Sequence, residues 1–395
     1  MKKRAREHPE AAGSGTGIRS WLRVGAVSLI PVLLLAAWHL GDVQVAVRET
    51  GHRWQTGVYL VLTVFTLATL ALLGRMLLIP AAAPESGRHL FSGKQPPGSH
   101  PPSQRGMAPR RLEGIYPVAG LFLGLLYLVV LPPLSAPDEI SHYVSAYQLS
   151  SRILGQPSND RYGRVLLRPQ DAWVEDMEGA FVYEADGDGY MQVMQETLEA
   201  GVKFCQVLDE SVYQQLWELR GGNSYNPEQA EALGGALVSS TYPPVQTTPL
   251  AYVPQALAMA LARLLGFGTL GLMYLGRLGN LLFFVFMVWV AMRRLPFEKE
   301  VLFGVALLPM TLHLSASFSY DVMIMGCMFL FMAVCLDLAY RKEQVQGADL
   351  AVVMVLMAVC GPCKMIYAVL MGLCLLVPVR KFGGWGRWAL AGAAV

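Results

Sequence analysis

Leu121-Phe122-Leu123-Gly124-Leu125-Leu126-Tyr127-Leu128-Val129-Val130-Leu131-Pro132-Pro133-Leu134-Ser135-Ala136-Pro137-Asp138-Glu139-Ile140-Ser141-His142-Tyr143 is the stretch that decides the fold. Its first half closes an apolar run of about 19 residues, near 115–133, long enough to cross a bilayer core of roughly 30 Å as a helix. Its second half opens a long polar loop. Two carboxylates and an imidazole at the mouth of a membrane helix are costly unless a metal, a proton or a cationic partner uses them. The stretch therefore points to chemistry at a membrane surface.

The rest of the chain agrees with that class. Apolar residues make up 54% of the 395 and charged residues only 15%, against about 25% charged in a soluble chain; mean hydropathy is +0.40. Net charge is +2, and the basic residues flank apolar runs without forming a patch, so no nucleic-acid partner is expected. Of six cysteines, only Cys205 lies in the polar loop. The others fall in apolar runs, where a free thiol behaves as a small hydrophobe.

Further apolar runs lie near 22–40, 57–79, 248–266, 271–291, 301–317, 321–340, 348–363 and 365–379. Residues 1–80 read as two N-terminal spans behind a basic tail, the first an uncleaved anchor. Residues 81–113 are rich in Pro, Gly, Ser and His and read as a disordered linker. Residues 114–395 form the main membrane domain, interrupted by loop 135–245. The closing run Trp388-Ala389-Leu390-Ala391-Gly392-Ala393-Ala394-Val395 resembles the start of another span, which leaves two readings open, an unusual natural end at that point or a truncated chain.

Loop charges set an expected orientation. Residues 1–23 and 75–111 each hold six Lys/Arg and are expected in the cytoplasm. Loop 135–245, with 17 Asp/Glu against 6 Lys/Arg, is then external. Arg293-Arg294, Arg341-Lys342 and Arg380-Lys381 read as cytoplasmic. For that parity, the Pro-broken run 248–266 is re-entrant or lies along the surface. On that orientation Asp138, Glu139, Asp321 and Lys364 are expected on one outer side of the membrane.

Pro137, Asp138 and Glu139 suit the first turn of a helix, where anions meet the positive end of the dipole. Asp138 and His142 are four residues apart and share a face. Asp138, Glu139 and His142 can bind a divalent metal such as Mg or Mn, or remove a proton from an acceptor hydroxyl. The plainer reading is capping of a helix at the start of a solvated loop.

This run is followed in order by Tyr242-Pro243-Pro244, Tyr252-Val253-Pro254, Gly276-Arg277-Leu278-Gly279-Asn280, Leu308-Pro309-Met310, Ser317-Phe318-Ser319-Tyr320-Asp321 and Lys364-Met365-Ile366-Tyr367. The ordered set resembles the bacterial membrane proteins grouped as domain of unknown function 2142, from about residue 115 onward. That family in turn resembles the GT-C membrane glycosyltransferases, which move a sugar from a polyprenyl-phosphate carrier using an acid in the first large external loop. By position, the resemblance makes Asp138 the catalytic acid/base or metal ligand, with Glu139 beside it. Two spans precede the usual first span here, and later C-terminal spans are missing.

Asp321 sits at a span boundary, as a functional acid or a helix N-cap. Lys364 and Arg277 are candidates for a lipid phosphate; the alternatives are snorkelling for Lys364 and hydrogen bonds to backbone carbonyls for Arg277. Tyr242 and Tyr252 can line a sugar site or belong to an interfacial belt. Cys360-Gly361-Pro362-Cys363 matches a thioredoxin active-site string, but within an apolar run instead of after a strand. Asp186-Gly187-Asp188-Gly189 resembles a calcium loop but lacks the later ligands and reads as a turn. Apolar residues over 195–220 recur at helical spacing, predicting a folded cap.

The expected fold is an all-α polytopic membrane protein, a GT-C-like helix bundle with one large external loop. Its expected partners are the lipid bilayer, a polyprenyl-phosphate-linked sugar and a cell-envelope acceptor. Two other classes stay open: a transporter or flippase of a lipid-linked saccharide, using the broken run 248–266, and a membrane dithiol oxidoreductase using Cys360 and Cys363.

Overall fold

The computed structural model describes residues 64, 67–69, 109–172, 174–177, 183–185, 191–193, 208, 212, 216 and 237–394. The chain forms two compact units, Met1–Val118 and Ala119–Val395. In the first, residue 64 and residues 67–69 are helical, within the run read as a second span. The run read as a first span and almost all of the linker lie outside the described residues. Helix α1 (Pro109–Val130) carries the chain into the second unit and begins inside the segment read as linker.

The second unit is mainly helical. After α1 come α2 (Glu139–Ile153), the short α3 (Pro169–Ala172), α4 (Val253–Leu264), α5 (Thr269–Arg294), α6 (Lys299–Ala306), α7 (Pro309–Ser315), α8 (Asp321–Leu336), α9 (Gly347–Cys363) and α10 (Trp385–Ala394). A π-turn over Asp337–Arg341 extends α8, and a 3₁₀ segment over Met365–Leu376 follows α9. Among the described residues, three helical stretches are long and apolar enough to cross a membrane: Leu112–Val130, Thr269–Arg294 and Asp321–Arg341. The shorter Gly347–Cys363 is apolar as well. The chain is thus an all-α membrane protein by length and composition.

Two expected spans differ from simple rods. The run 301–317 is divided into α6 and α7, because Pro309 removes a backbone donor and restricts Leu308, which is extended at ψ 142. The run 248–266 yields α4, whose 12 residues extend about 18 Å, short of a bilayer core. Its start packs on the middle of α5: a Cβ on Gly279 would stand 2.8 Å from the Pro254 carbonyl oxygen. Gly279→Ala is therefore expected to push α4 from α5, at about 1–3 kcal/mol, read as a lower melting temperature of the purified protein in detergent.

The polar loop is folded where it is described. Strand β1 (Leu166–Leu167) pairs antiparallel with β4 (Val238–Ser239), tying the loop's start to its end. Strands β2 (Tyr183–Ala185) and β3 (Met191–Val193) pair antiparallel across the Asp186–Gly189 segment, whose residues lie outside the described set, as does Cys205. Within the expected 195–220 helix, Val212 and Leu216 are helical and buried; most of that segment is outside the described residues.

A buried acid, Asp171, docks the loop on the helices. It accepts from the Tyr147 hydroxyl at 2.8 Å, from Arg168 Nε at 2.5 Å and from the Thr269 hydroxyl at 3.0 Å. Arg263, near the end of α4, lies over the Tyr147 ring at 4.5 Å and donates to the Ser151 hydroxyl at 2.9 Å. A carboxylate this deep is tolerated because several donors replace its water.

Candidate active site

The site is organised by the loop between α7 and α8, Ala316-Ser317-Phe318-Ser319-Tyr320. A loop inside a helical bundle exposes backbone groups that no helix satisfies. Here side chains from three other elements take them. Arg277 Nε donates to the Ala316 carbonyl at 2.6 Å. The Asn280 amide donates to the carbonyls of Ser317 and Ser319 at 2.8 and 3.0 Å. Gln255 donates to the Phe318 carbonyl at 3.2 Å. Glu139 Oε1 accepts the Phe318 N–H at 2.9 Å. Four consecutive carbonyls and one N–H are thus held by buried side chains.

The string Gly276-Arg277-Leu278-Gly279-Asn280 now has a physical reading. Arg277 and Asn280 grip the loop, Gly279 admits α4, and Gly276 leaves room for the Phe318 ring, which its Cβ would overlap. That ring also meets Tyr143 of α2 edge-on at 5.3 Å.

Arg277 takes the second of its two expected roles, donor to backbone carbonyls, in place of a phosphate ligand. It is fully buried, and besides Ala316 it donates to the carbonyls of Leu128 and Leu131 at 3.3 and 2.8 Å, closing the C-terminal end of α1. Glu139 Oε1 lies 3.5 Å from its Nε. Open carbonyls at a helix end attract a cation, and these leave no face of the guanidinium toward solvent.

Glu139 is likewise 1% exposed. Its second oxygen accepts the Ala136 N–H at 3.3 Å, fixing the turn into α2. That turn holds Leu134 at φ 71 and Asp138 at φ 52, left-handed conformations unusual outside glycine. Glu139 is thus anchored inward, while the neighbouring Asp138 is exposed and its carboxylate has no partner among the described residues.

His142 sits one turn further along α2, buried, sharing a 2.7 Å hydrogen bond between Nδ1 and the Tyr252 hydroxyl. Its ring is 5.1 Å from that of Tyr320 and 5.9 Å from that of Tyr252. Lys364, at the end of α9, donates to Asp321 Oδ1 at 2.9 Å and lies 5.1 Å from the centre of the Tyr320 ring. This pair is partly open, with side chains 39% and 28% exposed. Burial works against the charged form of Lys364, but the Asp321 carboxylate outweighs it and holds the ammonium above the ordinary lysine range.

Three charges act on the one imidazole. Burial pushes the His142 pKa down to about 4; Asp138 and Asp321 pull it upward and Lys364 lowers it further. His142 is therefore neutral at pH 7. Because its folded value lies below the ordinary 6.5, the stability tied to neutral His142 is complete above about pH 6.5 and is lost as pH falls toward 4. The melting temperature is expected to drop between pH 7 and 4.5, and His142→Gln is expected to flatten that drop.

The sequence-derived candidates thus separate into two groups. Asp138, His142, Tyr252, Asp321 and Lys364 gather around the half-open pair, joined by Tyr320, which sequence reasoning did not single out. Arg277 and Glu139 form the buried support beneath it. Tyr242 packs half-buried against the core after β4. Asp138, Glu139 and His142 do not converge as metal ligands, since both Glu139 oxygens face backbone N–H groups; among the described residues no group of three His, Cys, Asp or Glu is placed to hold a metal ion. Cys360 and Cys363 are free and buried at the C-terminal end of α9, where Cys363 donates to the Val359 carbonyl at 2.9 Å. A helix N-terminus would favour a thiolate there; this end does not.

Residues 121–395 match the family described as a predicted membrane protein, domain of unknown function 2142. The chain belongs to that family. All site residues named above fall within the matched span. No curated protein and no solved structure matches the chain.

Proposed function

We propose that this member of the domain of unknown function 2142 family is a membrane glycosyltransferase. It moves a sugar from a polyprenyl-phosphate carrier to an acceptor hydroxyl at the outer face of a bacterial cytoplasmic membrane. The observation that carries the reading is Asp138: an exposed, unpaired carboxylate, fixed in a left-handed turn by its buried neighbour, beside the neutral His142 and the Asp321–Lys364 pair.

In this reading Asp138 takes the proton from the acceptor hydroxyl, whose oxygen attacks the anomeric carbon as the bond to the phosphate oxygen breaks. Lys364 exchanges Asp321 for the leaving polyprenyl phosphate, where negative charge develops. The partly exposed ring of Tyr320 offers a face to the sugar, while the buried Tyr252 holds His142 through its hydroxyl. Glu139 and Arg277 act as positioning residues. Membranes supplied with their own lipid extract as donor are expected to transfer radiolabelled sugar to the envelope fraction, and Asp138→Asn membranes are expected not to. Equal transfer by both would overturn the assignment.

A second reading, a flippase or transporter of the lipid-linked saccharide, draws support from the short α4 and the half-open ion pair. It predicts movement of the intact lipid-linked sugar across reconstituted bilayers with no new glycosidic bond.

A further inference from the structure

Helix α8 and its π-turn run from Asp321 to Arg341, 21 residues or about 30 Å. The candidate active site lies at one end, and a differently built feature lies at the other. There an apolar cavity is lined by Leu338, Val345, Val353, Cys374, Phe382 and Trp388. It is shaped by Lys381, whose ammonium donates to the carbonyls of Leu338, Ala339 and Lys342 at 2.7–2.8 Å and so joins the end of α8 to the segment before α10.

The charges near this cavity are unevenly matched. Asp337 is shared by Arg341 at 2.5 Å and Arg294 at 3.6 Å, and Asp349 is paired with Lys342. Glu343 is the remaining exposed acid in that turn. Arg380 and Arg387 are exposed and have no partner among the described residues. Arg387 folds back over the turn after Arg380, its Nη1 3.5 Å from where a Cβ on Gly383 would stand. Trp385 is 73% exposed and meets Trp388 edge-on at 5.7 Å.

We infer that this end of the bundle binds an anionic phospholipid, one acyl chain entering the cavity and the headgroup phosphate resting on Arg380 and Arg387. Charge complementarity selects the headgroup, because two free guanidiniums match a phosphate in fork geometry. The apolar lining selects a lipid over a free phosphate, which would gain nothing from the cavity. Exposed Trp beside Arg is the composition found at the membrane–water boundary, where such headgroups lie.

Native mass spectrometry of the purified full chain in neutral detergent tests this, with phosphatidylglycerol and phosphatidylcholine added in turn. Phosphatidylglycerol is expected to be retained about tenfold better, and R380Q/R387Q is expected to erase the difference. Arg161→Gln, in the polar loop, is expected to keep it. Equal retention of the two lipids by the unaltered protein would overturn the inference, and that comparison needs no variant to fold. Displacement of phosphatidylglycerol by inorganic phosphate at similar concentration would also overturn it, by reducing the site to a phosphate site.

Discussion

Arg277→Met is expected to be the most destabilising single substitution in the second unit. It strands Glu139, which is 1% exposed, as a buried charge without a counterion, and it opens the carbonyls of Leu128, Leu131 and Ala316. Removing one partner of a buried ion pair costs about 3–5 kcal/mol, a large share of a typical folding free energy of roughly 5–15 kcal/mol. Loss of a monodisperse peak in detergent, or a much lower melting temperature, is the expected readout. Arg277→Lys recovers little, since one ammonium cannot replace a fork that reaches three carbonyls. Adding Glu139→Gln to Arg277→Met is expected to restore part of the loss, because the uncompensated charge is gone while Oε1 can still accept the Phe318 N–H. A double variant no better than Arg277→Met would mean that the carbonyls, and not the ion pair, dominate.

Asp138→Asn is expected to behave in the opposite way. Its carboxylate is exposed and unpaired, so stability should change by no more than about 0.5 kcal/mol. Sugar transfer should fall by about 10²–10⁴-fold, the range associated with losing a general base. The split matters: a loss of activity accompanied by a loss of stability would place Asp138 among the positioning residues. Lys364→Gln should also lower transfer with little effect on folding, since its pair with Asp321 is partly solvent-exposed and such pairs contribute roughly 0–1 kcal/mol.

The long helices were legible because α5, despite Arg277 and Asn280, and α8 with its π-turn are mostly apolar over 26 and 21 residues, long enough to mark them as spans. The division of 301–317 was legible in principle, since Pro309 stands in its middle; the apolar character of both halves hid it. Arg277 shows where sequence reading stops. The sequence leaves it either a phosphate ligand or a donor to backbone carbonyls, and the structure has the second, with carbonyls of residues 128, 131 and 316; no local pattern reveals which carbonyls are unsatisfied. Gly276 and Gly279 gave a hint, since small residues flanking Arg277 mark close approach of other chain segments. Loop charges lead to the expectation that Asp138, Glu139, Asp321 and Lys364 share one outer face; what the structure adds is that Lys364 pairs with Asp321, that Asp138, Asp321 and Lys364 act on His142, and that Glu139 is buried. The shared face of Asp138 and His142 was legible from their spacing, but the neighbours from residues 252, 320 and 364 were not, being distant in sequence. Asp171 was missed as well, although Arg168 three residues earlier was a visible partner.

We propose that Asp138, Asp321 and Lys364 serve one site that opens to the cell exterior. Single Asp138→Cys, Asp321→Cys and Lys364→Cys variants, each in a chain without its six native cysteines, can be treated on intact cells with a membrane-impermeant maleimide. All three are expected to label from outside, Asp138→Cys fastest because that position is the most open. Labelling of Asp321→Cys or Lys364→Cys only after lysis would overturn the shared site, because a site divided between two compartments cannot carry out the proposed transfer.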